Sequence, residues 1–369
     1  MKEGKATRVC KQLSSWAISG LISLAPGIAV AAETSLSAGV WATYELIKDN
    51  ETDEETHGAI KDEALIIYAD GAAEPGEGSW LYSAELRIGP GSFTDPDNNS
   101  TGDEFTLHKA WVGFKLDEKT TLRVGKSQVP FGWKTVNFWP GDILLAGYGD
   151  QMDVGLKLSG DREQFDFDLA YYHADDWGED STDTVDDNGH WGSSTTYRKV
   201  QTLVGNALWD VADGQQLGLS VQAGRLQDLT DPLSDNEVDG NHQAWVAYYQ
   251  ATRGPFTAKA SYIDMSRDLP DNHVASAGLA ETIENQRLVA EFGYRRDNWF
   301  FYIDASMAQA DTEGSDADNI YSIAPGFSYD YGPGWIYVEL LSQDGDVDRN
   351  GQVQEGDFDA LYISLDFYL

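Results

Sequence analysis

Hydrophobic and polar residues alternate along most of this chain with a period of two. The clearest case is the C-terminal stretch FDALYISLDFYL, residues 358–369. Leu361, Ile363, Leu365, Phe367 and Leu369 fall on one face of an extended strand, and Tyr362, Ser364, Asp366 and Tyr368 on the other. Alternation alone suits any antiparallel sheet with one wet face. An apolar, aromatic-rich face that continues to the last residue suits a strand closing a barrel in lipid, where every backbone group must be paired.

That ending is also similar to the C-terminal assembly signal of bacterial outer-membrane proteins, which usually close on Phe or Trp where this chain has Leu369. The same periodicity predicts sixteen strands, near residues 35–48, 64–69, 80–88, 105–116, 121–129, 152–159, 165–173, 197–209, 216–227, 242–251, 256–265, 287–295, 299–309, 320–331, 335–341 and 358–369. The predicted fold class is an all-β transmembrane antiparallel barrel.

The connections carry the strongest signal. Those after even strands are short, such as DEK at Asp117, RGP at Arg253 and DN at Asp297, whereas those after odd strands are longer and mostly acidic. Short turns on one side of a membrane and long loops on the other are the asymmetry of a transmembrane barrel. A soluble sandwich has no reason to sort its loops by parity. Aromatic residues near strand ends, among them Trp41, Trp80, Trp209, Trp299 and Trp335, fit two interfacial girdles, though aromatic residues also favour strands in general.

Composition then fixes the compartment. Lys2, Lys5, Arg8 and Lys11 precede an apolar stretch that Pro26 interrupts, followed by the small residues Ala29, Val30 and Ala31. This reads as a secretory signal peptide over residues 1–31, leaving 32–369 as one barrel domain, with an uncleaved anchor helix as the alternative. The single cysteine, Cys10, departs with the leader, so no thiol-based metal site or disulfide remains. Removing the leader leaves 21 Lys and Arg against 61 Asp and Glu, a net charge near −40. Nucleic acid is an implausible partner for such a surface. Outer-membrane lipid, lipopolysaccharide bridged by divalent cations, and small solutes or ions are the expected ones.

One block carries a family resemblance. Residues 105–139, FTLHKAWVGFKLDEKTTLRVGKSQVPFGWKTVNFW, hold two strands joined by a tight turn and then Val124, Gly125, Lys126, Pro130, Phe131 and Gly132. This resembles a recurring block of Gram-negative porins, in particular the phosphate-selective porin O and P family. The resemblance implies a homotrimer and a loop, here residues 130–150, that folds into the barrel and narrows it. The residues of that loop agree: Trp133, Phe138, Trp139, Ile143, Leu144 and Leu145 are too apolar for a solvated outer loop, while Lys134, Asp142 and Asp150 are charges that a wet lumen accepts. Packing on the extracellular rim or on a neighbouring subunit is the alternative. The predicted constriction residues are Lys126, Trp133, Lys134, Trp139, Asp142 and Asp150.

Strand parity assigns Glu85, Arg87, Lys109, Arg123, Asp153, Lys157, Arg287 and Glu291 to the pore lining. A phosphate-selective channel should show rings of one sign. This set is mixed, so the expectation is little ion preference or a weak one for cations. In the last outer loop Asp346, Asp348, Asn350, Gln352 and Asp357 follow the spacing of a calcium loop, and Gly351 supplies the bend. That makes Ca²⁺ a candidate ligand, although Asp and Gly are also common turn residues. No other cofactor is expected. His108, His173 and His242 fall on the apolar parity, and no HExxH or GxSxG occurs, so an enzyme is not expected.

The sequence thus favours an outer-membrane porin that passes small hydrophilic solutes or ions by passive diffusion. Two readings stay beside it: a surface binding or adhesion barrel with calcium-loaded loops and a closed lumen, and a secreted all-β carbohydrate-binding protein.

Overall fold

All but one of the strand pairings join neighbours in the chain, and the exception joins the last strand to the first. The computed structural model describes residues 32–48, 50, 55–73, 78–92, 104–132, 151–175, 197–230 and 237–369. The first eight strands are β1 (Ala32–Ile47), β2 (Ala59–Ala73), β3 (Trp80–Ile88), β4 (Phe105–Asp117), β5 (Thr120–Gln128), β6 (Met152–Arg162), β7 (Phe165–Ala174) and β8 (Tyr197–Ala212). The remainder are β9 (Gln215–Asp228), β10 (Gly240–Arg253), β11 (Phe256–Asp268), β12 (Thr282–Arg296), β13 (Trp299–Ala310), β14 (Ile320–Asp330), β15 (Trp335–Val347) and β16 (Val353–Tyr368). A short helix, α1 (Asp271–Ala277), lies between β11 and β12.

These sixteen strands form one closed antiparallel barrel, as the alternation predicts. Closure pairs β1 with β16 from Gly39 opposite Tyr368 to Ile47 opposite Ala360, and the hydroxyls of Thr43 and Ser364 meet at 2.8 Å inside that seam. Hydrocarbon offers no hydrogen bonds, so a closed ladder is what lets a sheet span it.

Turn chemistry sorts the two ends. Five of the connections after even strands are two residues long, at 118–119, 163–164, 213–214, 254–255 and 297–298. Gly214 (φ 64°), Gly254 (φ 58°) and Asp297 (φ 52°) take the left-handed conformation that matches a tight hairpin to the twist of its strands. Connections at the other end are longer, with one exception. The last hairpin is joined by residues 348–352 alone, because β15 and β16 run further than their apolar alternation indicates.

The outer face is a band of exposed apolar side chains, including Leu169, Leu203, Leu219, Val221, Leu288, Phe292 and Leu340. Leu365 continues it on β16, while Tyr362, Ser364 and Asp366 are buried on the opposite face. At the short-turn end aromatic pairs ring the wall: Phe165 with Trp209 at 5.3 Å, Phe256 with Tyr294 at 5.2 Å and Trp299 with Tyr329 at 4.6 Å between ring centroids. Two expected girdle members are elsewhere. Trp41 sits under the Arg87 guanidinium, 5.0 Å from it, and Trp335 shares the parity of buried Glu339. One of the interruptions of the wall lies where β14 pairs with β15 at Ile323–Ser342 and at Gly326–Glu339 but not at Ala324 and Pro325 between them.

A charge on the apolar band is costly. Leu219→Arg is expected to lower unfolding free energy in lipid vesicles by about 2–4 kcal/mol, as for a cation near the bilayer midplane. Denaturant titration against Gln222→Arg, whose side chain faces inward, provides the comparison; equal losses would contradict the assignment of faces.

Candidate functional site

The inner wall is built from the parity opposite that apolar band. Glu85, Arg87, Lys109, Arg123, Asp153, Lys157, Arg287 and Glu291 all lie on it, and Asp153, Arg287 and Glu291 are among the most buried charges of the protein. Some of these charges pair with one another, and others bond neutral acceptors. Arg87 Nε donates to Glu85 Oε1 at 2.9 Å, and Lys109 approaches the other oxygen of that carboxylate at 3.9 Å. Arg123 lies over the Trp111 ring and donates to Ser159 Oγ (2.7 Å), which donates in turn to Asp168 (2.6 Å). Lys157 Nζ donates to the Gln128 carbonyl at 2.6 Å, Lys259 sits 3.5 Å from Glu291, and Arg287 donates to Asn285 at 2.8 Å. Pairing matters here because an isolated ion away from water costs several kcal/mol.

Parity misreads part of this wall. On β10, Ala244, Val246 and Tyr248 face inward while Trp245 faces out, so the strand is apolar on both sides. They join Ala170, Tyr172, Val204, Ile263, Met265 and Val289 in an apolar patch on the inside of β7 to β12. Val129 and Phe131, which follow β5, cover that patch. Gly132 N–H donates to Ser220 Oγ at 3.0 Å, an atom on β9 four strands away around the ring. Residues 129–132 therefore enter the barrel. Trp133, Lys134, Trp139, Asp142 and Asp150 lie outside the described residues, as does the leader, residues 1–31. Lys126 is a buried residue of β5, paired with Ala110 and Val154, and is not part of the loop.

Two histidines expected on the apolar parity are inside. A bulge at His108 lets it and Lys109 point the same way, which no alternation rule encodes. His242 follows the inner row of β10, its Nε2 3.0 Å from Thr202 Oγ1. His173 is exposed, on the outer parity.

The last hairpin corrects the calcium expectation. Asp346 is paired with Gln354 inside the ladder, and Asp357 lies on β16, three residues further along an extended strand, so about 10 Å separates it from that position. Asp348 uses its carboxylate to accept the Gln352 N–H (2.8 Å) and the Gln354 side-chain amide (3.1 Å). Asn350 Oδ1 accepts the Tyr197 hydroxyl at 3.1 Å and approaches His273 Nε2 at 3.2 Å. Burial pushes the His273 imidazole below its usual range, while Asn350, Asp228 and Asp348 pull it back up. Among the described residues no group of three or more His, Cys, Asp or Glu is arranged to hold a metal ion. The carboxylate of Asp348 is used to fold the hairpin tip, and the side-chain oxygen of Asn350 to hold it against Tyr197 and His273.

The family model of the phosphate-selective porin O and P family matches residues 77–302, more than half of the chain. The chain belongs to that family. It is an outer-membrane channel of a Gram-negative bacterium. Curated proteins gave no match by sequence. Solved structures share the porin's architecture at low identity. OmpT, an outer-membrane protein of Vibrio cholerae, is 9% identical with a TM-score of 0.63 over 92% of this chain and 98% of its own. The outer-membrane channel DcaP of Acinetobacter baumannii is 12% identical at 0.60, covering 92% and 97%. An anion-selective porin from Comamonas acidovorans is 10% identical at 0.57, covering 92% and 100%.

Two outcomes follow for this porin. Phe131→Ala removes the anchor that covers the apolar patch, at a cost of about 3–5 kcal/mol to loop docking; limited proteolysis should then cleave after residue 132 much faster, and unchanged digestion would count against the anchor. Isothermal titration with CaCl₂ should give no saturable heat; heat that Asp346→Ala with Asp348→Ala abolishes would restore the calcium loop.

Proposed function

We propose that this porin lets small hydrophilic solutes or ions diffuse passively through a water-filled barrel with little charge preference. The observation that carries the reading is the mixed charge of the inner wall, part of it mutually paired. Arg87 faces Glu85, Lys259 faces Glu291, and Arg123 reaches Asp168 through Ser159. Selectivity filters work through rings of one sign, whose field an ion meets before it is neutralised. A wall that neutralises itself locally filters mainly by size.

The loop of residues 129–151 forms the constriction in this proposal, with Lys126, Trp133, Lys134, Trp139, Asp142 and Asp150 on or beside it. Support comes from its first residues, which already cross toward β9. We further propose that residues 1–31 are removed on export and that the porin assembles as a homotrimer, the form in which OmpT of Vibrio cholerae has also been solved. Its apolar band would contact outer-membrane lipid and lipopolysaccharide. Transport needs no catalysis and no bound cofactor in this scheme.

Planar-bilayer recordings in asymmetric KCl test it. The expected result is a steady open current with a reversal potential near zero or slightly toward cation preference. Strong anion selectivity would show that loop placement outweighs the wall charges, and no steady current would favour a closed surface-binding barrel.

A further inference from the structure

The tip of the β15–β16 hairpin does not stand up into solvent. In ring order β15 lies three strands from β12 and seven from β8, yet residues 349–351 are bonded to both walls. The Arg267 guanidinium of β11 donates to the Arg349 carbonyl, and the Tyr197 hydroxyl of β8 donates to Asn350 Oδ1 at 3.1 Å. Asn285 of β12 donates to the Gly351 carbonyl at 2.5 Å. Three successive residues thus each have an oxygen taken by a different strand, three to seven places away around the ring.

The backbone is fitted to that position. Gly351 has φ 95°, where an L side chain is strained, and a Cβ added there would lie 2.0 Å from Met265 Cε. Gly356, further along the same hairpin, has open space where a Cβ would sit. Gly351 therefore serves both the turn, whose positive φ it supplies and whose N–H bonds the Asp348 carbonyl at 2.9 Å, and the close approach of the docked tip to Met265.

We propose that this tip is a tethered strap that sets the outer bore of the channel, so that solutes are sized at the mouth as well as at the loop after β5. The inference rests on the passive-diffusion reading above. The tethers are acceptor oxygens met by Tyr, Asn and Arg donors, so the strap acts on size first, with Asp348, Arg349 and Arg267 as the charges at its edge.

The test uses the full porin in planar bilayers, together with swelling of liposomes in sugars of increasing size. Gly351→Ala strains the tip backbone at its positive φ and crowds Met265; Tyr197→Phe with Asn285→Ala removes two tethers and adds no atoms. Both are expected to shift unitary conductance upward and to admit larger sugars than the wild type, whereas Gly356→Ala matches the wild type. Heat-modifiable gel migration verifies folding, and should Gly351→Ala fail to fold, the Tyr197 and Asn285 pair carries the test. Unchanged conductance and size limit in the released variants, beside a conducting wild type, overturns the strap and leaves the diffusion reading intact. An equal rise in Gly356→Ala also overturns it. Absence of current from every form overturns both.

Discussion

The whole molecule depends on one requirement, that a sheet crossing hydrocarbon keeps all its backbone donors and acceptors paired. β1 and β16 meet that requirement for the chain as a whole, since without their ladder both would be open edges in lipid. Closure fixes the two faces, and the faces fix the composition of every strand. Leucine, valine and aromatic side chains go outward because lipid accepts them, and outside the apolar patch of β7 to β12 the inward positions are left mainly to small, polar and charged residues. The strong acidity of the chain is largely a matter of its loops and strand ends and has little part in holding the wall together.

The interior then has a problem of its own. Part of its wall, along β7 to β12, is apolar, and water would wet that surface at a cost of about 25 cal/mol per Å². Val129 and Phe131 remove that cost by packing on it, and Gly132 fixes the approach by a hydrogen bond to Ser220. Elsewhere the wall is charged, and there its side chains bond one another. The inner surface therefore has two chemistries with two functions: an apolar dock that positions the incoming loop and a self-neutralised polar surface past which solutes move.

Much of this could be read from the residues alone. The terminal strand, the number of strands and the sorting of loop lengths are local properties, set by a repeat of two and by turn-forming residues. What escaped is non-local or breaks the repeat. Ala244, Val246 and Tyr248 lie on a strand that is apolar on both faces, so alternation cannot say which side is in, although a strand greasy on both sides is itself a sign of something packed within. The bulge at His108 shifts the parity of one residue. Asn350 looked like a metal ligand because its oxygens have a suitable spacing; its partners, Tyr197 and His273, are 153 and 77 residues away, and nothing near it in sequence announces them.

The interrupted pairing at Ala324 and Pro325 has a mechanical consequence. Proline has no N–H to give, so the β14–β15 ladder is broken midway, whereas β16 is bound to β1 by a continuous one. The final hairpin is therefore paired without a gap to the beginning of the chain and with a gap to the strand that precedes it. Any other residue at 325 would supply the N–H that proline withholds from the wall, and the β1–β16 closure would stand as it is.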